Sequence, residues 1–242
     1  MKIANIYPIK NQHFYKNEDY TMILAHLVKK GLYAPENFNK DSYVIMDNGL
    51  FERQQVSTSL LDCIKLAEQS GIKIDEIIIP DAVNDAKTTI NLFLKNYETI
   101  IRYQHKYRFM FVAQARNYKE LEFMMTFIGN YPSLNISVGI SKLCPFDRAS
   151  DEAIEIYKRY KLPIHLLGIK ESFEELQKVK DVIRGCDTSQ IAYIAKNEQQ
   201  VDSIIGYHRD NSMKERDIDL EFDCLDNTKI EQFLTQFNQE LF

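Results

Sequence analysis

The sequence predicts an α/β protein, a single (β/α)8 TIM barrel forming one domain. Three observations carry that prediction. Strand-like and helix-like stretches alternate with connections of a few residues, a pattern that requires parallel strands. The strand-like stretches number eight, the count that closes such a barrel. The length, 242 residues, suits one barrel, and no domain boundary, repeat or low-complexity segment interrupts it.

Residues 2–9 read as a strand ended by Pro8, and the polar, aromatic stretch 11–20 reads as a loop. The apolar run 22–28 fits a strand or a helix start, and the strand is preferred. Counting from that run gives eight strands. If residues 2–9 are the first strand instead, 22–30 becomes a helix and the count is unchanged. Gly31 and Pro35 keep any helix before Asp41 short.

From Val44 the pattern is regular. Val44, Ile45 and Met46 form an apolar run too short for a helix, and it stops at Asp47, Asn48 and Gly49. A helix over 57–70 follows, with Leu60, Leu61, Ile64 and Leu66 at helical spacing and Gly71 closing it. Strand 76–81 ends in Asp81, and helix 86–103 leads to strand 108–114, which ends in Gln114. Helix 118–128 precedes strand 136–140, which contains Gly139 and Ile140. A helix opened by Asp147 runs to residue 160, and strand 164–168 follows Pro163. Ser172 and Glu175 form a capping box for helix 172–180. Strand 182–187 ends in Asp187. A mostly helical stretch 191–207, a polar link 211–216, a last strand 218–222 and a closing helix 228–241 complete the chain.

Composition sets outer limits. An apolar fraction of 45% supports a sizeable core, and a net charge of −5 argues against a generally basic surface while leaving room for a local basic groove. The four cysteines, Cys63, Cys144, Cys186 and Cys224, lie far apart, with neither metal-knuckle spacing nor a secreted disulfide framework. Reduced thiols in a cytoplasmic protein are expected, with no resident metal or cofactor. No signal peptide and no apolar run of membrane-spanning length is apparent.

The chemistry is expected at the strand ends. In a parallel barrel Asp47, Asp81, Gln114 and Asp187, with Gly139 and Ile140, would face one pocket. Several carboxylates in one pocket repel one another unless a ligand uses them. Any one such Asp also fits as the cap of a following helix, but that role explains the whole set poorly.

The order and spacing of these residues resemble the tRNA-guanine transglycosylase superfamily over residues 43–190. Asp47-Asn48-Gly49-Leu50-Phe51-Glu52 resembles that family's Asp-Ser-Gly-Gly-Phe-Gln. Asp81 matches its acid on the next strand, and Val112-Ala113-Gln114 resembles its Val-Gln-Gly. Ser137-Val138-Gly139-Ile140-Ser141 resembles Val-Gly-Gly-Leu, and Leu166-Leu167-Gly168-Ile169 with Phe173-Glu174-Glu175-Leu176 resembles Leu-Met-Gly-Val with Pro-Glu-Asp-Leu. Gly185-Cys186-Asp187 resembles Met-Phe-Asp-Cys. Each motif is weak alone; six in order are more specific.

The resemblance implies exchange of a guanine in nucleic acid for a 7-deazaguanine base. Asp187 would be the nucleophile that forms a covalent glycosyl-enzyme, and Asp47 the general acid/base. Asp81 would accept from the guanine-like N1–H and exocyclic amine. Asn48 would join the substrate-binding set. Gln114 and the backbone N–H groups of Gly139 and Ile140 would bind the O6 edge, with Gly139 letting the base approach. Phe51 or Tyr43 would stack on the base, or else belong to the core.

Departures narrow the implication. The family's zinc site of three cysteines and a histidine has only Cys224 here, so no zinc subdomain is expected. Its Pro-Thr-Arg after the nucleophile is Thr188-Ser189-Gln190, and the second glycine of its Gly-Gly pair is Leu50. Such reduced forms resemble phage and genomic-island transglycosylases that modify DNA, so DNA is preferred to tRNA as partner. The target base would then need flipping, with a duplex-opening protein as a further candidate partner.

Two other classes compete. One is a non-catalytic barrel that binds a base or partners an active enzyme, which has no need of a nucleophile. The other is a barrel enzyme for a phosphorylated metabolite, which predicts a glycine-rich loop where the chain has Asp223-Cys224-Leu225-Asp226. His26 reads as packed or at the pocket mouth, His165 as structural, and Cys186 as an inert buried thiol. Lys142, Arg148, Lys170 and Arg184 read as surface charge, or else as phosphate contacts. Arg102, His105, Lys106 and Arg108 form a basic cluster expected on the opposite face.

Overall fold

The structure is a computed structural model that describes residues 1–49, 58–169, 171, 173–189 and 224–241. Eight parallel strands close into a barrel in sequence order. They are β1 (Lys2–Asn5), β2 (Tyr20–Leu24), β3 (Tyr43–Asp47), β4 (Glu76–Ile78), β5 (Arg108–Ala113), β6 (Ile136–Ser141), β7 (Ile164–Leu167) and β8 (Gly185–Thr188). Closure comes from β8 returning to β1, with Ile3 opposite Cys186 and Ala4 opposite Asp187.

Both early candidates are strands, which corrects the choice between them. The run 22–28 straddles two elements: β2 pairs along its whole length with β3, from Tyr20↔Tyr43 to Leu24↔Asp47, and the chain then turns into α1 (Ala25–Lys29). No side chain caps that helix, so nothing polar marks the boundary inside the apolar run. With β1 and β2 both present, closure is complete at β8. The expected strand 218–222, the helical stretch 191–207 and the link 211–216 lie outside the described residues.

The first connection is a 3₁₀ segment, Ile9–Asn17, rather than an open loop. Its aromatics fix it: Tyr7 stacks on Phe14 at 5.4 Å and Tyr15 on Phe38 at 4.9 Å. The later helices are α2 (Leu60–Gln69), α3 (Ala86–Tyr103), α4 (Tyr118–Gly129), α5 (Asp151–Tyr160), α6 (Phe173–Val179) and α7 (Asn227–Leu241). Each of α2 to α5 starts where a polar side chain accepts an otherwise unpaired N–H, at Ser59, Asp85, Asn117 and Ser150. Helix α5 therefore begins four residues later than Asp147, whose carboxylate holds the preceding turn through the Ala149 N–H at 2.8 Å. Ser172 lies outside the described residues.

Alternation along the strands divides the core in two. Ala4, Tyr20, Met22, Ile45, Ile78, Met110 and Val112 fill the barrel interior. Phe109, Phe111 and Ala113, the intervening residues of β5, face the helices. There Phe93 of α3 meets Phe111 edge-on at 5.6 Å and Phe127 of α4 at 5.5 Å. Such aromatic pairs contribute about 0.5–1.5 kcal/mol each beyond their area.

The amino end of the interior is closed by charge. Glu76, fully buried, accepts from Arg184 at 2.6 Å, from the Tyr43 hydroxyl at 3.0 Å and from Ser137. The guanidinium of Arg184 also lies over the Tyr43 and Tyr20 rings, at 5.2 and 5.7 Å. Among the described residues the amino end of the interior is thus filled by paired charge and aromatic rings.

Candidate active site

Two polar groups stand at the carboxyl ends of the strands. The first spans β3 to β5. Ile45 faces the interior, so alternation directs Asp47 inward at the end of β3. Its Oδ1 accepts from the Gly49 N–H at 3.2 Å, a turn that sets Gly49 at φ 76°, where an L side chain is strained. A Cβ at Gly49 would also approach His26 Nδ1 to 2.9 Å, which puts His26 against this turn.

Asn48, buried, donates to the Ile79 carbonyl and to Asp81 Oδ1, both at 3.3 Å. Asp81 Oδ2 accepts from Gln114 Nε2 at 2.6 Å. The orientation of that amide is fixed because Gln114 Oε1 takes the Asn84 N–H at 3.2 Å. Burial raises the Asp81 carboxyl above its ordinary range, while the amides of Gln114 and Asn48 pull the other way. Asn48, Asp81 and Gln114 thus form one network from three strand ends.

The second group surrounds Asp187 on the closing strand. A Cβ at Gly185 would meet the Tyr20 ring at 2.8 Å, so this face of β8 looks inward, and Asp187 shares it. Asp187 Oδ1 lies 3.0 Å from His165 Nε2 and accepts from the Gly168 N–H at 3.0 Å. His165, fully buried on β7, meets the Tyr20 hydroxyl with its Nδ1 at 2.8 Å.

Gly168 is held from behind. Arg148, fully buried, donates to the carbonyls of Ile140 at 2.7 Å, Leu167 at 3.0 Å and Gly168 at 2.6 Å. It also pairs with Glu171 at 2.6 and 2.7 Å. Arg148 is therefore neither surface charge nor a phosphate contact but a clamp across the ends of β6 and β7. Buried Arg is rare unless paired, and here every donor direction meets an acceptor.

Other expected site residues stand elsewhere. Gly139 and Ile140 are paired on both sides, with Val112 and Ala113 of β5 and with His165 and Leu166 of β7. A Cβ on Gly139 would lie 2.8 Å from both Leu167 Cδ1 and Met110 Sδ, so side chains occupy the space above this glycine. The Ile140 side chain packs toward the helices. Tyr43 belongs to the closed amino end, which removes it as a stacking platform at the mouth, and Arg184 is there too. Phe51 and Lys170 lie outside the described residues. Cys186 is buried, and burial pushes its thiol pKa up, as for an inert core cysteine. In the basic cluster, Lys106 pairs with Glu68 at 2.9 Å and Arg108 bonds Asn135 at 3.0 Å, at the amino side of β5.

Among the described residues no group of His, Cys, Asp and Glu could hold a metal ion. No helix among them is long and apolar enough to cross a membrane.

Sequence reading missed His165, Tyr20, Gly168 as a donor, and Arg148. A histidine in an apolar strand reads as core, and its partners lie 22 residues ahead and 145 behind. The one local signal was a polar ring at an inward position of β7.

No protein-family model matches this sequence, and no curated protein is similar to it. Solved structures of similar shape include a glycerol uptake operon antiterminator-related protein from Thermotoga maritima, at 15% identity over 77% of this chain and 93% of that one, with a TM-score of 0.45. An aldolase matches at 12% identity over 78% and 88%, with a TM-score of 0.49. A mandelate racemase/muconate lactonizing enzyme from Roseiflexus sp. matches at 10% identity over 77% of this chain and 54% of its own, also at 0.49. Identities and scores this low transfer no activity; what stands is the closed eight-stranded barrel.

Proposed function

We propose that the protein is an enzyme of the base-exchange class, a guanine transglycosylase that replaces guanine in DNA with a 7-deazaguanine base. The observation that carries this reading is the pairing of two arrangements at one barrel end. One is a buried carboxylate flanked by amides, Asp81 with Asn48 and Gln114. The other is a carboxylate pinned by one oxygen, Asp187.

A carboxylate has about four lone-pair sites. Asn48 and Gln114 approach one Asp81 oxygen each, and Asp81's own N–H also bonds the carboxylate, so two side-by-side N–H donors would share the acceptor sites that remain. The N1–H and exocyclic amine of guanine, and of a 7-deazaguanine that keeps that edge, present such a pair. Asp187 would attack the anomeric carbon to form a glycosyl ester, and the incoming base would displace it, so two inversions retain the β-configuration. Asp47 would pass protons to the departing base and from the arriving one. Gly139 and Ile140 would reach the base's carbonyl edge only if Leu167 and Met110 yielded, so Gln114 is the better polar contact there. A base in duplex DNA must be extruded first, a task for a partner protein or for substrate that is already single-stranded.

The test is incorporation of a labelled 7-deazaguanine into guanine-containing DNA, with tRNA as the parallel arm. Label should enter DNA, and Asp187→Asn should reduce entry on the order of 10⁴-fold or more without loss of folding. Label in tRNA alone would move the substrate to RNA. Retained incorporation by Asp187→Asn would remove the covalent step, and none on either polymer would leave a base-binding barrel.

A further inference from the structure

Asp187 is held unevenly. His165 Nε2 and the Gly168 N–H both point at Oδ1, each at 3.0 Å. Among the described residues Oδ2 has no hydrogen-bond partner, and the side chain is 10% exposed.

The ring of His165 is held in turn. Tyr20 is 1% exposed, and its hydroxyl has one hydrogen-bond partner among the described residues, His165 Nδ1 at 2.8 Å. A buried hydroxyl proton needs an acceptor. If Tyr20 donates to Nδ1, that nitrogen carries the lone pair and Nε2 carries the proton, which makes Nε2 a donor to Asp187. Burial raises the Tyr20 pKa strongly, so the phenol keeps its proton. Arg148 completes the frame by gripping the Gly168 carbonyl at 2.6 Å while the N–H of the same residue reaches Asp187.

We propose that Tyr20 and His165 are positioning residues that divide the work of Asp187 between its oxygens: Oδ2 is the attacking atom, and Oδ1 is the oxygen where two fixed donors receive returning charge. This rests on the base-exchange reading and adds a prediction about which half-reaction the residues serve. In the first half, Oδ2 bonds to C1′ as the C1′–N9 bond breaks. The electron pair leaves with guanine, which takes a proton from Asp47. In the second, N9 of the 7-deazaguanine gives its proton to Asp47 and bonds to C1′ as the C1′–Oδ2 bond breaks, and that bond's electron pair returns to the carboxylate. Donors at Oδ1 make Asp187 a weaker nucleophile but a better leaving group. They are prearranged for the second half and need no reorganisation when charge appears.

His165→Phe should therefore slow exchange roughly a hundredfold, the usual scale for one lost donor at a charged centre. The covalent nucleic acid–enzyme adduct, trapped on denaturing gels in the presence of the incoming base, should rise above the wild-type fraction. Tyr20→Phe, a gentler change, should shift both in the same direction by a smaller factor, and His165→Gln, which keeps an amide donor, should partly restore exchange. If adduct and exchange fall together in Tyr20→Phe and His165→Phe, the residues are merely structural and the proposal is overturned.

A second measurement needs no turnover. Nitrogen-15 NMR of the His165 ring should show the Nε2–H tautomer in the wild type and its loss in Tyr20→Phe. The opposite tautomer overturns the proposal even in an active enzyme. A wild type that exchanges no base on either polymer overturns the function itself, and the leaving-group role with it, whatever the tautomer.

Discussion

The two ends of the barrel interior treat buried acids in opposite ways. At the amino end Glu76 has a guanidinium, a phenol and a hydroxyl around it, and Arg184 is sandwiched by that acid and two aromatic rings. At the carboxyl end, among the described residues, neither Asp81 nor Asp187 pairs with Lys or Arg; amides, a backbone N–H and an imidazole serve them instead. A cation neutralises an acid and closes the site. Neutral donors orient an acid and leave its charge, or its proton, for something else. The same fold therefore carries one buried acid, Glu76, paired with a cation, and two, Asp81 and Asp187, served among the described residues by neutral donors and an imidazole.

The contrast can be broken most forcefully at the amino end. Glu76→Ala leaves Arg184 without its counter-charge in a largely buried position, and a loss of about 3–5 kcal/mol is expected in urea unfolding. Replacing both partners by apolar residues of similar volume should be far milder, because no lone charge remains. A double variant as unstable as Glu76→Ala would show that packing, not charge pairing, governs that end.

A middle-sized effect is expected between the two ends. Gly139→Ala sets a methyl 2.8 Å from Leu167 and Met110. Both contacts are flexible side-chain ends, so the cost should be about 1–3 kcal/mol. Unchanged stability would mean that the interior above Gly139 is looser than its packing suggests.

The smallest effect sharpens the comparison through pH. The Asp81 carboxyl is raised by burial. Between the ordinary aspartate range, near pH 4, and its higher value in the fold, the native protein holds a proton that the unfolded chain has released. Stability from this group therefore falls as pH rises through that window and is lowest above it. Asp81→Asn should remove that slope, so the gap between wild type and variant in thermal unfolding should favour the wild type most at acid pH. An identical pH profile would show that Asp81 ionises in the fold as freely as in the unfolded chain.

Much of this was legible in the chain. Strands β3, β4, β5 and β8 announce themselves as short apolar runs stopped by Asp47, Asp81, Gln114 and Asp187, because a buried strand tolerates polarity best at its ends. Helix α3 has the bounds its amphipathic pattern predicts, whereas the helix expected from residue 57 starts only after the cap at Ser59. What stayed hidden was non-local. The break between Leu24 and Ala25 is set by pairing with β3, not by any residue at the break. The Tyr20–His165–Asp187 chain joins three strands that meet across the interior only when the barrel closes, and Arg148 looked like surface charge because its four carbonyl and carboxylate partners come from the ends of β6 and β7 and the segment after β7.

One further feature bears on how the molecule is held together beyond its sheet. Asn11, 1% exposed, gives its amide nitrogen to the Leu225 carbonyl and to Asn227, and its oxygen accepts the Leu225 N–H. A shortened version lacking residue 225 onward would retain every strand yet strip this amide of its companions, at about 1–3 kcal/mol. The first crossover, which has a 3₁₀ coil in place of an α-helix, would lose its outer brace. The tail thus acts as a fastener for the head, and trimming it should loosen the segment after β1 before it disturbs the rest.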